Sequence, residues 1–213
     1  MKAQPVETTL YSLSNAPPAV DSDRREGERH LTLYRVGSIL VEDRRELCLI
    51  KNISAGGMMI RLYCSIVEGT TVTVELKSGQ PVSGKISWTR DHHAGVAFDH
   101  VIDVIDILSS SMDAPRPRMP RIETKSHATL REGANHLRVR VCDISQGGLK
   151  IACETIIPRG SDVVVSLPGL EPQPGLACWV EDGFVGISFN RLLPLADLVS
   201  WVQEQRDTQR AAR

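Results

Sequence analysis

The stretch Asn52-Ile53-Ser54-Ala55-Gly56-Gly57-Met58-Met59-Ile60 constrains this chain more than any other, because its form returns as Asp143-Ile144-Ser145-Gln146-Gly147-Gly148-Leu149-Lys150-Ile151. Each copy reads as strand, tight polar turn, strand. Leu47, Leu49 and Ile50 lead into the first copy, and Met58, Ile60 and Leu62 lead out. Between them the Asn and Ser side chains can hydrogen-bond locally, and glycine admits positive φ. Asp143 follows Asn52 by 91 positions, and the same offset carries Gly69 onto Gly160, Val72 onto Val163, Val74 onto Val165, Trp88 onto Trp179, Gly95 onto Gly186 and Phe98 onto Phe189. Two of the three tryptophans and two of the three phenylalanines therefore fall in register without a gap, the mark of a tandem duplication. A unit of about ninety residues is a small domain rather than a solenoid repeat.

The chain has 213 residues, which the repeat divides into two domains, each long enough for a small barrel core. Net charge is −1, so no global field draws the protein to nucleic acid or to a membrane surface, and any anion must be bound by local basic clusters. No apolar run approaches the ~18 residues of a membrane span. Residues 1–22 lack the apolar core of a signal peptide, and a cytoplasmic protein is expected. The five cysteines (Cys48, Cys64, Cys142, Cys153, Cys178) form no CxxC pair and sit mostly in alternating apolar runs, as reduced structural thiols do.

In order, residues 1–22 read as a polar flexible tail and residues 23–111 as the first domain. Residues 112–121 form a proline- and arginine-rich linker, and residues 122–213 the second domain. Asp23 to Arg29 is a charged loop. Strands are predicted over 31–41, 47–51, 58–62, 71–76, 82–89 and 94–98, separated by turns at 42–45, 67–69, 77–80 and 91–93. About six short strands per unit at this spacing predict a small antiparallel β-barrel. A helix closes each unit. Val101, Val104, Ile105 and Leu108 mark the first; Leu195, Leu198, Val199 and Val202, after Pro194, mark the second. Beyond Gln203 the second helix turns polar and is expected to fray.

Two features of the first unit stand together: Arg25-x-x-x-Arg29, with Arg24 beside it, and Asn52-x-Ser54-x-x-Gly57. Arginine presents a planar fork of donors that never deprotonates, grips phosphate in a bidentate manner, stacks on bases and matches guanine O6 and N7. The polar turn adds an amide, a hydroxyl and backbone N–H groups, and Gly56 and Gly57 let a ligand approach the main chain. Alone, either element is an ordinary turn or a solvated charge run. Two or three such arginines can close around an anionic, guanine-bearing ligand, and the combination ahead of a six-strand pattern is a much stronger signal than either part.

These residues resemble the PilZ domain family, bacterial receptors for cyclic di-GMP, which carries RxxxR before its first strand and (D/N)xSxxG on its barrel. The resemblance covers residues 24–108 and, in its second copy, about 116–202. It implies two tandem six-stranded antiparallel barrels, each followed by a helix. It also implies a non-enzymatic cyclic di-GMP receptor without a cofactor, which signals to a protein partner by ordering its arginine loop or changing the arrangement of the barrels. The binding residues implied are Arg25, Arg29, Asn52, Ser54 and Gly57, with Arg24 and Gly56. The second unit keeps Asp143, Ser145 and Gly148, but the offset places Arg29 on Pro120. A second site would draw on Arg116, Arg118 and Arg121 without the RxxxR spacing, so this unit is expected to serve as scaffold or partner surface. The competing reading for the whole chain is a protein-interaction adaptor with weak or no nucleotide binding. Scattered histidines without ligand spacing predict no metal site, and no hydrolase, protease or P-loop motif is present. Trp88 and Trp179, repeated in register, are read as barrel packing rather than base stacking.

Overall fold

The computed structural model describes residues 31–76, 81–108 and 119–211. The predicted tail, the Asp23 to Arg29 loop, the 77–80 turn and most of the linker lie outside these residues. Barrel one is formed by β1 (Leu31–Val41), β2 (Arg44–Ser54), β3 (Gly57–Leu62), β4 (Thr71–Glu75), β5 (Pro81–Arg90) and β6 (His93–Phe98), closed in the order β1-β2-β3-β6-β5-β4. A single helical turn and a half, α1 (Val104–Leu108), follows. Barrel two repeats the plan with β7 (Ile122–Glu123), β8 (His127–Glu132), β9 (Asn135–Ser145), β10 (Gly148–Ala152), β11 (Asp162–Ser166), β12 (Gln173–Glu181) and β13 (Phe184–Phe189). The β9–β10 pairing closes its ring, and β7 adds to the edge of β9.

The period-two pattern does what it predicts. Along β4, Val72 and Val74 are buried and Thr71, Thr73 and Glu75 face out; β11 repeats this with Val163 and Val165. Barrel one closes over Ile39, Ile50, Ile53, Ile60, Ile86 and Val96, and α1 lays Val104 and Ile107 on that core. Barrel two closes over Leu130, Val141, Ile144, Leu149, Ile151 and Ile187. Its β12–β13 hairpin turns at Asp182-Gly183 with φ of 49° and 76°, and the twin β5–β6 hairpin at Asp91-His92 with 47° and 62°. Both are the paired positive-φ turns that match strand twist.

Two features depart from the sequence reading. The counterpart of β1 is interrupted in barrel two. β1 carries a register shift between Thr32 and Arg35, and at the equivalent place the chain leaves the ladder between β7 and β8, where Thr124 Oγ1 accepts the Ser126 N–H at 3.3 Å. The second departure is the closing helix. α2 (Leu195–Ala211) stays helical well past Gln203, because its polar end has partners on barrel one. Gln203 Nε2 donates to the Tyr63 carbonyl at 2.6 Å, Arg206 Nη2 donates to the Arg45 carbonyl at 2.9 Å, and Arg206 pairs with Glu46. Beside these contacts Leu47 of barrel one packs into the core of barrel two, with Val36 and Tyr63 against the same cluster. The fully buried α2 residues Leu198 and Trp201 hold the other end of the helix on barrel two.

All five cysteines are free. Burial pushes the Cys48 thiol up to about 12 and the Cys64 thiol to about 11, which keeps both protonated and unreactive. On the outer wall of barrel one, the Arg45 guanidinium holds the Glu75 carboxyl below its usual range by a hydrogen-bonded pair.

Candidate functional site

The Asn-x-Ser-x-x-Gly turn joins β2 to β3 and its twin joins β9 to β10, both by two residues (Ala55-Gly56 and Gln146-Gly147). The main chain of each turn is pinned from behind. In barrel one the Phe98 N–H donates to the Gly56 carbonyl and the Ile102 N–H to the Ala55 carbonyl, both at 2.9 Å. In barrel two Phe189 and Leu193 do the same to Gly147 and Gln146 at 2.9 and 2.8 Å. The motif serine completes the turn from within: Ser54 Oγ donates to the Gly57 carbonyl and Ser145 Oγ to the Gly148 carbonyl, each at 3.1 Å. The serine proton is thus spent locally. Ser54, half-buried, keeps acceptor capacity for a ligand N–H; Ser145 is buried.

The motif glycine answers to sterics. A Cβ on Gly57 would sit 2.6 Å from the Val96 carbonyl oxygen; on Gly148, where φ is +157°, it would sit 2.1 Å from that of Ile187. Gly57→Ala is therefore expected to destabilise barrel one by about 1–3 kcal/mol through the forced backbone shift. A lowered thermal midpoint without ligand would record it. Gly56, by contrast, has open space where a Cβ would stand, so its side of the turn is accessible.

Registers carry the motif across the outer wall of each barrel. Asn52 lies opposite Met59, Met59 opposite Gly95, and Gly95 opposite Trp88. One step along the strands, Ser54, Gly57, Ala97 and Lys85 form a parallel row. The twin rows are Asp143, Lys150, Gly186, Trp179 and Ser145, Gly148, Ser188, Leu176. Each tryptophan covers its glycine: a Cβ on Gly95 would meet Trp88 Nε1 at 2.1 Å, and one on Gly186 would meet Trp179 Nε1 at 2.0 Å. The tryptophans do pack on the barrel, but on its outside, at 40 % and 37 % exposure, and in the row that carries the motif. The sequence reading left this placement out. The repeated Trp–Gly spacing was its signal, since a glycine fixed opposite an indole leaves room for the ring to lie on the sheet.

Barrel two gathers part of its predicted set. Arg121 pairs with Asp143, and a hollow of about 190 Å³ is lined by Met119, Arg121, Ser145, Gly147, Trp179 and Gly186. That is below the ~300–1,000 Å³ of ordinary small-molecule sites. The offset places Arg121 on His30, immediately before β1. Arg116 and Arg118 lie outside the described residues, as do Arg24, Arg25 and Arg29 of the first unit. Among the described residues no group of His, Cys, Asp and Glu could hold a metal ion, and no helix is long and apolar enough to cross a membrane. A larger hollow, about 650 Å³, lies between α2 and the loop before β12, away from both turns, with Glu171, Asp197 and Glu204 at its rim.

Two barrels of one plan, each with the polar turn on its outer wall, agree with the sequence comparison: the PilZ domain model matches residues 23–109 and again 115–203. This chain belongs to the PilZ domain family. Solved structures similar to it include YcgR of Escherichia coli in complex with c-di-GMP, at 13 % identity over 84 % of this chain and 89 % of that one, TM-score 0.35. The PlzA protein of Borreliella burgdorferi in complex with c-di-GMP matches at 12 % identity over 79 % and 86 %, TM-score 0.33. The inhibitor of motility MotI/DgrA of Bacillus subtilis matches at 12 % over 86 % and 100 %, TM-score 0.33. No curated protein matches. Within the PilZ frame the (D/N)xSxxG turn is present twice and RxxxR once.

Proposed function

We propose that this tandem PilZ protein is a non-enzymatic receptor for cyclic di-GMP, with the nucleotide on barrel one. Its site combines Arg24, Arg25 and Arg29 with Asn52, Ser54, Gly56 and Gly57. The observation that carries the reading is the register at the start of β1: Leu31 pairs with Ile53 and Thr32 with Asn52. Arg29 is two residues upstream of Leu31, and two residues of chain span at most ~7 Å. We infer that so short a tether leaves the Arg29 guanidinium within reach of a ligand lying on the polar turn. Arg25 is four residues further away and can fold back over a ligand lying on the Asn52–Trp88 row. The guanidinium groups supply bidentate contacts to phosphate and guanine, and the Asn52 amide, which makes no hydrogen bond among the described residues, offers both donor and acceptor.

Barrel two supports a different role. Asp143 is already partnered by Arg121, the hollow there is small, and Pro120 stands where RxxxR would place its second arginine. We assign this barrel to scaffolding and partner contact, the part of the adaptor reading that these observations favour. Ligand capture on barrel one would order the arginine segment and be read out by a protein partner in the cytoplasm, with α2 as the physical link between the barrels.

Calorimetric titration of the full chain with cyclic di-GMP, against GTP and cyclic di-AMP, tests the reading. Saturable binding confined to cyclic di-GMP, at one site or one intercalated pair per chain, is expected. Absence of heat and of a thermal shift at high ligand would leave only the adaptor.

A further inference from the structure

The duplication lets one wall be compared in two settings. In barrel one the outward residues of the β1–β2 ribbon pair as Val36 with Leu49, Ser38 with Leu47, and Leu40 with Arg45. This wall is an interface: Leu47 is 4 % exposed within the core of barrel two, Val36 packs beside it, and Arg206 holds the Arg45 carbonyl. The 91-residue offset carries the same six positions onto His127, Thr129, Arg131, His136, Arg138 and Arg140. These pair as His127 with Arg140, Thr129 with Arg138, and Arg131 with His136, and all six are exposed. A mostly apolar, covered wall has become an open wall of three arginines and two histidines.

Basic groups set directly opposite one another on a ribbon weaken it, so the arrangement does nothing for the barrel itself. Among the described residues no ion pair joins a carboxylate to these arginines. The ion pairs Arg45–Glu75, Arg121–Asp143 and Arg206–Glu46 all lie away from this wall. The acids nearest in register, Glu132 and Asp162, stand at one end, by the β8–β9 turn and the start of β11. Across the sheet, Arg131 lies opposite Val164, and Val164 opposite Pro174, so an apolar strip borders the basic one. A hollow of about 460 Å³ opens on the wall between His127, Thr129, Arg138 and Ser166.

We propose that the outer β8–β9 wall of barrel two is the docking surface for an acidic protein partner, whose carboxylates meet Arg131, Arg138 and Arg140 and whose apolar side chains meet Val164 and Pro174. A phosphate polymer fits less well. Net charge is −1, so the chain lacks the long-range attraction that drives polyanion binding, and the basic rows are short and edged by apolar surface. Arginine beside apolar groups, with complementary charge setting partner choice, is the composition of a protein interface. The assignment deepens the receptor reading, on which its signalling role rests; the wall itself belongs to barrel two alone.

The test measures anisotropy of a fluorescein-labelled peptide of alternating glutamate and leucine with the full chain, beside labelled duplex DNA and phosphatidylserine vesicles. Saturable, salt-sensitive peptide binding, tighter than to duplex or vesicle, is expected, and Arg131→Glu/Arg138→Glu/Arg140→Glu should weaken it by about tenfold or more. The triple glutamine variant, which leaves no reversed charge, guards against a misfolded triple mutant and should also bind more weakly. Peptide affinity unchanged in both variants, or tighter binding to duplex or vesicle, would overturn the proposal. Cyclic di-GMP titration of the same variants separates the two claims: unchanged nucleotide affinity with lost peptide binding supports the wall. A wild-type chain that takes peptide but no nucleotide would sink the receptor reading and leave the wall standing.

Discussion

Arg25→Ala combined with Arg29→Ala is expected to weaken cyclic di-GMP binding by at least about a hundredfold. Each guanidinium removed takes away charge-assisted hydrogen bonds worth about 1.5–3 kcal/mol, or roughly tenfold or more per residue. The companion variant Arg116→Ala/Arg118→Ala, in the linker before barrel two, is expected to leave affinity unchanged within about threefold, since there the RxxxR spacing is broken at Pro120. Both are expected to melt at the wild-type temperature, because each pair precedes the first strand of its barrel in the sequence. Calorimetry on the three proteins reads the difference directly. Equal affinities for wild type and the first variant would remove the site from barrel one; loss in the second variant alone would move it to barrel two.

Trp201→Ala is expected to be the most destabilising single change in the second barrel. Trp201 is 1 % exposed, packs with Leu198 and Val202 in the barrel-two core, and its Nε1 donates to the Pro168 carbonyl at 2.8 Å. Truncation empties a volume that the surrounding sheet cannot refill and leaves the carbonyl without its donor, a loss of about 3–5 kcal/mol. For a chain of this length that lowers the midpoint by about 10 °C. Trp88→Ala, removing an indole that is 40 % exposed, is expected to cost about 1 kcal/mol. Thermal unfolding followed by circular dichroism would compare them; equal shifts would contradict the packing described for α2. The loosened helix should also release Arg206 from Glu46, so the two barrels would respond more independently to protease.

Much of this molecule was legible in the chain. Period-two alternation placed β4, tight polar turns placed the β2–β3 and β9–β10 connections, and the 91-residue offset, which carries Val72 and Val74 onto Val163 and Val165 of β11, predicted two copies of one barrel. Such features are written in neighbouring residues, whose side-chain direction and turn chemistry depend little on what lies elsewhere. The motif turn was equally visible, though its internal economy was not: nothing in Asn-x-Ser-x-x-Gly says that the serine proton goes to the glycine carbonyl, or that the glycine is required by a carbonyl on a distant strand.

The sequence alone determined the number of barrels, the turns that bear the motif, and the spacing that separates an intact arginine pair from a broken one. Tertiary structure decided how the two copies diverge. Leu47 and Arg138 occupy the same place in the repeat; only packing shows that the first is sealed into the core of the other barrel and the second faces solvent. Arg121, grouped by composition with its neighbours in the linker, is singled out because the backbone brings it to Asp143. The polar end of α2 looked ready to fray until Tyr63, Arg45 and Glu46 supplied its partners. Each of these outcomes depends on residues brought together from far along the chain, and a local pattern carries no record of what will lie opposite it once the chain has closed.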